Sequence, residues 1–137
     1  MPELPEVHTV VNSLKKQLKG KIFSDINILW PKTAYNLNSK DAKIFILSKS
    51  IFSVNRLGKH IVIKLNSGYL VFHLRMTGYL YFSSVKKNIN SHVRCIFTFS
   101  DNSYLIYEDI RKFGGFYYFE KLDILKNKIG VDPFSKR

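Results

Sequence analysis

Eight short apolar runs, rich in β-branched and aromatic residues, are spread through the sequence between residues 22 and 119 and constrain the fold more than any other feature. They are Ile22–Trp30, Ile51–Asn55, Ile61–Leu65, Tyr69–Leu74, Tyr79–Phe82, Val93–Phe99, Tyr104–Tyr107 and Phe116–Phe119. Turn signals separate most of them: Asn66-Ser67-Gly68, Thr77-Gly78, Ser100-Asp101-Asn102-Ser103 and Gly114-Gly115. Many short strands with tight turns predict a mainly β fold, a sandwich or pseudobarrel of antiparallel strands. A helix should precede them. Val7, Val10, Val11, Leu14 and Leu18 repeat at three- and four-residue spacing and form one apolar stripe. Pro5 suits a first turn and Gly20 a C-terminal cap, with Lys15, Lys16 and Lys19 placed where cations complement the helix dipole. A second short helix is expected near Ser39–Ser48, capped by Ser39.

With 137 residues and 16.0 kDa, the chain has the size of one ordinary domain and can bury a core without covalent staples. Its 22 Lys and Arg against 10 Asp and Glu give a formal charge of +12, and the pI is about 9.8. A folded domain with that excess favours a polyanionic partner, nucleic acid first and an anionic membrane surface second. The lone Cys95 excludes an internal disulfide and a multi-cysteine zinc site, so no metal or other cofactor is expected on these residues. No apolar run approaches the roughly 20 residues of a membrane helix. The start Met1-Pro2-Glu3-Leu4-Pro5-Glu6 lacks the basic and apolar regions of a secretory signal. A cytoplasmic, monomeric protein with no membrane partner is the expectation. The tail Lys126–Arg137 is polar and basic and reads as the start of a linker.

Four segments carry candidate chemistry. Removal of Met1 would expose Pro2 as a secondary amine, and an α-amino group titrates near 8, so a useful fraction is neutral and nucleophilic at pH 7. Glu3 and Glu6 lie close in sequence and offer carboxyl groups for proton transfer, although on spacing alone the plainer reading is an ordinary helix start with acidic residues complementing the dipole. Arg56-Leu57-Gly58-Lys59 puts two cations at a hairpin tip, fit to meet phosphate or simply solvated. His73-Leu74-Arg75-Met76-Thr77-Gly78 ends a strand, with Met76 either a flexible apolar wedge or core filler and His73 either functional or a satisfied polar residue. Asp109-Ile110-Arg111-Lys112-Phe113-Gly114 places Arg111 and Phe113 two apart, so that an extended segment would aim both the same way. The plainer reading there is a strand end with an Asp–Arg surface pair.

Taken together and in this order, the segments resemble a known family. Met-Pro-Glu-Leu-Pro-Glu-Val7 is similar to the opening of bacterial formamidopyrimidine-DNA glycosylases, and the similarity continues at Arg56–Lys59, His73–Gly78, Asp109–Gly114 and Ile129–Pro133. It covers essentially the whole chain. The resemblance implies a base-excision repair enzyme, a bifunctional DNA glycosylase and AP lyase acting on 8-oxoguanine and formamidopyrimidines in double-stranded DNA, at work in the bacterial cytoplasm or on the nucleoid.

It also implies roles. Pro2 would be the nucleophile at C1′, Glu3 the general acid/base, Glu6 a supporting residue, and Lys59 a catalytic contact near the lesion. His73 and Arg111 would hold backbone phosphates. Met76, Arg111 and Phe113 would fill the space left by an extruded base, with Phe113 as the wedge. Residues 1–130 would form the catalytic N-terminal domain and 131–137 the start of a linker. The family's helix–two-turn–helix module and zinc finger are absent from these residues, so impaired activity is expected, and a catalytically silent DNA-binding fragment is the alternative. A structural β-domain for some other anionic partner is a more distant one.

Overall fold

The computed structural model describes residues 4–85, 90–121 and 123. Pro2, Glu3, the Glu6 side chain, the tail Lys126–Arg137 and the expected domain boundary at residue 130 lie outside it. The described residues form helices α1 (Leu4–Leu18) and α2 (Ser39–Ile46) and strands β1 (Phe23–Ile28), β2 (Ile51–Leu57), β3 (His60–Leu65), β4 (Tyr69–His73), β5 (Gly78–Ser83), β6 (Val93–Phe99), β7 (Tyr104–Asp109) and β8 (Gly115–Phe119). Every expected run overlaps one strand, with ends that differ by up to two residues. The expected cap of α2 is corrected: Ser39 is the first helical residue, and Asn38 before it, still extended, accepts the Asp41 N–H at 2.7 Å through its side chain.

The strands pair antiparallel in two four-stranded sheets, ordered β1-β6-β7-β5 and β2-β3-β4-β8. Alternation decides what lies between them. Ile61 and Ile63 of β3, Leu70 and Phe72 of β4, Phe97 and Phe99 of β6, and Leu105 and Tyr107 of β7 are all buried. Phe72 is the hub of an aromatic core, with ring centroids 5.3 Å from Phe116 and 5.9 Å from Phe97. The α1 stripe of Val7, Val11, Leu14 and Leu18 is buried, and α1 packs on β2 and β5, an edge strand of each sheet. The edge strand β8 is joined to the Pro31–Asn36 segment by the Ala34–Phe116 bridge and by side-chain bonds between Asn36 and Tyr118. Among the described residues no helix is long and apolar enough to cross a membrane.

Candidate nucleic-acid interface

Three connections carry the expected site residues: the β2–β3 hairpin tip, the β4–β5 turn and the β7–β8 loop. The hairpin tip is a two-residue turn, because Leu57 pairs directly with His60. Gly58 takes φ +62°, a left-handed value that a two-residue hairpin asks of its first residue and glycine adopts freely. Lys59 follows it, exposed. The Arg56 side chain folds back to donate to the Gly58 carbonyl at 3.0 Å.

His73 ends β4 and sits opposite His60, the rings 4.6 Å apart. Its Nε2 and the His60 Nδ1 are buried with no hydrogen-bond partner among the described residues, so His73 is not the satisfied polar residue that one reading allowed. Burial, then His60, Arg75 and Lys59, push its imidazole down to about 4. Both cations therefore lie near it, and His73 is uncharged at neutral pH. After His73 the chain turns through Arg75, itself left-handed at φ +55°, and closes with a bond from the Gly78 N–H to the Leu74 carbonyl at 2.8 Å. Met76 at the tip is 54% exposed, which removes it from the core. A shallow cavity beside it is lined by Thr9 and Val10 of α1 and by Leu74, Thr77 and Tyr79.

The β7–β8 loop departs from expectation in geometry but keeps the expected pair together. It is not extended: Lys112 sits at φ +63°. The turn nonetheless brings the Arg111 guanidinium over the Phe113 ring, 5.3 Å from its centroid, with Phe113 49% exposed. Lys112 points elsewhere, its ammonium 4.1 Å from the centre of the Trp30 ring.

Asp109 makes this loop possible. The plainer sequence reading, an Asp–Arg surface pair, is corrected, because Asp109 is fully buried and its carboxylate serves the backbone. Oδ2 accepts from the Tyr107 hydroxyl at 2.8 Å and the Gly114 N–H at 2.7 Å. Oδ1 accepts from the Thr77 hydroxyl at 2.5 Å and from the N–H groups of Arg111 and Lys112 at 3.2 Å each. Burial alone would push this carboxyl up. The bonds from Thr77, Tyr107, Gly114 and Arg111 outweigh it and hold the group below the ordinary aspartate value. From the other side the buried Arg94 guanidinium donates to the Asp109 carbonyl at 2.8 Å. Gly114 fits because it has no side chain. A Cβ there would lie 2.1 Å from the Tyr107 hydroxyl and 2.5 Å from the His73 carbonyl. The loop therefore rests directly on the end of β4, which brings Arg111 and Phe113 beside His73 and Met76.

Sequence reasoning put Asp109 on the surface and gave no role to Thr77, Tyr107, Tyr35 or Arg75. The Tyr35 hydroxyl donates to the Phe113 carbonyl at 3.0 Å; burial pushes its pKa up, and the nearby Arg75 guanidinium opposes that rise. For Asp109 a signal was available: Leu105, Tyr107 and Asp109 alternate along β7, and the first two are core residues, so the third belongs to the core face as well. For Tyr35, on an irregular segment far away in sequence, there was none.

The electrostatics favour an anion. Strands β2, β3, β4 and β8 contain no Asp or Glu. Lys59, Arg75, Arg111 and Lys112 are exposed on the three connections, and Asp109 beside them is buried and fully engaged. No group of three His, Cys, Asp or Glu side chains that could hold a metal occurs among the described residues, and Cys95 is buried within β6.

Comparison with known proteins agrees with this arrangement. The family described as formamidopyrimidine-DNA glycosylase N-terminal domain matches residues 1–116. The formamidopyrimidine-DNA glycosylase of Exiguobacterium is 40% identical over 114 residues, covering 83% of this chain and 42% of its own length. That of Mycoplasma mobile is 41% identical over 129 residues, covering 93% and 47%. This chain thus spans about half the length of these relatives. Among solved structures, the Lactococcus lactis Fpg in complex with abasic-site DNA superimposes with a TM-score of 0.85 at 27% identity, over 94% of this chain and 47% of that one. MutM in complex with DNA containing carbocyclic 8-oxo-G gives 0.85 at 28%, over 94% and 49%. With this match to sequence and fold, the chain belongs to the formamidopyrimidine-DNA glycosylase family and carries its N-terminal domain.

Proposed function

We propose that this chain supplies the nucleophile and the void-filling side chains of a base-excision DNA glycosylase and AP lyase acting on oxidised purines in duplex DNA. The observation that carries the reading is the grouping of exposed Met76 and Phe113 with Arg111 on two turns fastened to one buried carboxylate. A base inside a duplex is out of reach, so an enzyme acting on it extrudes the nucleotide and offsets the lost stacking by filling the hole. Phe113 is the wedge, Met76 its apolar neighbour, and Arg111 bridges wedge and backbone. His73 and Arg111 hold phosphates, and Lys59 faces the lesion and its phosphate.

The chemistry falls to Pro2, with Met1 removed. Its secondary amine attacks C1′ and gives up its proton as the bond to the base breaks, and the base leaves with a proton. Glu3 protonates O4′ as the C1′–O4′ bond opens and the nitrogen lone pair forms an iminium, with Glu6 supporting the site. Loss of a C2′ proton then expels the 3′-phosphate, and a second elimination expels the 5′-phosphate. No metal takes part in these steps. The relatives named formamidopyrimidine-DNA glycosylase, and the neighbours bound to abasic-site and 8-oxo-G DNA, support this choice of substrate.

Incubation with a labelled duplex bearing one 8-oxoguanine opposite cytosine tests the proposal. Strand cleavage at the lesion, absent from the undamaged duplex, is the expected result. Retention of both duplexes intact, at protein concentrations that saturate binding, would refute turnover.

A further inference from the structure

The β4–β5 turn and the β7–β8 loop are more than neighbours. They are tied to each other twice by side chains that belong to neither a phosphate contact nor the wedge. In the first tie, Thr77 donates its hydroxyl to Asp109 Oδ1, and its oxygen also accepts the Arg111 N–H at 3.2 Å. One hydroxyl thus joins the turn that carries Met76 to the residue that carries the guanidinium. In the second tie, the Tyr35 hydroxyl donates to the Phe113 carbonyl on the loop at 3.0 Å within the field of Arg75 on the turn, and its ring packs on Tyr117 at 4.7 Å. Gly78 and Gly114 complete the join, because the Tyr107 hydroxyl would meet a Cβ at either position, 2.7 and 2.1 Å away. Both turns therefore close on the same buried hydroxyl.

We propose that Thr77 and Tyr35 are positioning residues that lock the Met76 turn and the Arg111–Phe113 loop into one insertion unit, which enters the duplex as a whole. The inference rests on the DNA-lesion reading above. Its physical basis is entropic. Two independent exposed turns would each lose conformational freedom on entering the duplex. Turns already fixed to each other and to the core have lost that freedom on folding. The duplex then meets a preformed wedge. A second consequence is coupling: truncating one member of a shared unit weakens the other, so the effects of Met76 and Phe113 should not add.

The test uses the 137-residue chain and two duplexes, one intact and one carrying a tetrahydrofuran abasic analogue. The quantity read is the ratio of the two affinities, which reports hole-filling and cancels phosphate contacts common to both. Wild type should prefer the abasic duplex. Met76→Ala and Phe113→Ala should each reduce that preference about tenfold, and together by clearly less than the product of the two. Thr77→Val, or Tyr35→Phe, should reduce the preference several-fold, leave the salt dependence of intact-duplex binding unchanged, and make the two truncations multiply. Thr77→Ser, which keeps the hydroxyl, should restore the wild-type ratio. A melting temperature lowered by Thr77→Val with the ratio and the non-additivity intact would make the ties merely structural and overturn the inference. Equal binding of both duplexes by wild type would overturn the lesion reading, and the inference with it.

Discussion

The imidazole rings of His60 and His73 face one another across β3 and β4, centroids 4.6 Å apart, in a pocket that keeps both neutral. Burial is the largest cause for each, and Arg75 adds to it. His73 is pushed down to about 4, with His60 and Lys59 contributing. Neither imidazole therefore adds positive charge to this edge at neutral pH.

A pH dependence follows. Between about 4 and the unfolded value near 6.5, the unfolded chain binds protons that the folded chain refuses. Stability should be full above that window and fall as the pH drops through it. Denaturant midpoints measured from pH 7.5 to 4.5 should decline, and the His73→Asn variant should flatten the decline. An imidazole NMR titration placing His73 near 6.5 would contradict the account.

Asp109 should be the most costly polar residue to replace in this region. Asp109→Ala strands the hydroxyls of Tyr107 and Thr77 and the N–H of Gly114 without their acceptor, at about 1–3 kcal/mol for each buried group. The expected loss of folding free energy is about 3 kcal/mol or more, read from denaturant unfolding. Because the folded carboxyl lies below its ordinary value, its contribution is present above the ordinary range and disappears as the pH falls through the folded value. Replacement at a cost within 0.5 kcal/mol, the ordinary range for surface positions, would mean that the carboxylate does not hold the loop.

Binding to intact duplex should weaken steeply with salt, since each phosphate contact releases condensed counterions. Lys59→Met and Arg111→Met should each reduce the slope of log K against log salt by about one unit. Asp25→Asn, on the other sheet, should leave the slope unchanged. A flat titration for wild type would remove phosphate from the account of this edge.

Much of this molecule is legible in its sequence, for a local reason. Strand runs such as Val93–Phe99 and the α1 stripe announce themselves through periodicity, which depends only on near neighbours. The sequence leaves Met76 open between an exposed wedge and core filler, and the structure exposes it. What escaped was non-local or conformational. Nothing in the sequence says that β5 pairs with β7 and that β4 pairs with β8, yet that pairing sets the two site turns side by side. The left-handed Arg75 and Lys112 are bulky residues in a conformation usually left to glycine or asparagine; Asp109 accepts the Lys112 N–H, and the turn around Arg75 is closed by the Gly78 N–H on the Leu74 carbonyl. The cap of α2 slipped by one residue because Asn38 and Ser39 are adjacent and both suit the position, and the backbone chose the earlier one.

The most direct test of the central claim is borohydride trapping on a duplex carrying a natural abasic site, read by intact mass. That substrate needs no base removal, so it asks only whether an amine of this chain reaches C1′ at a lesion. The account predicts a reduced covalent adduct whose protein part lacks Met1, and its loss in the Pro2→Gly variant. No adduct from a chain confirmed to lack Met1, or an undiminished adduct from Pro2→Gly, would contradict it.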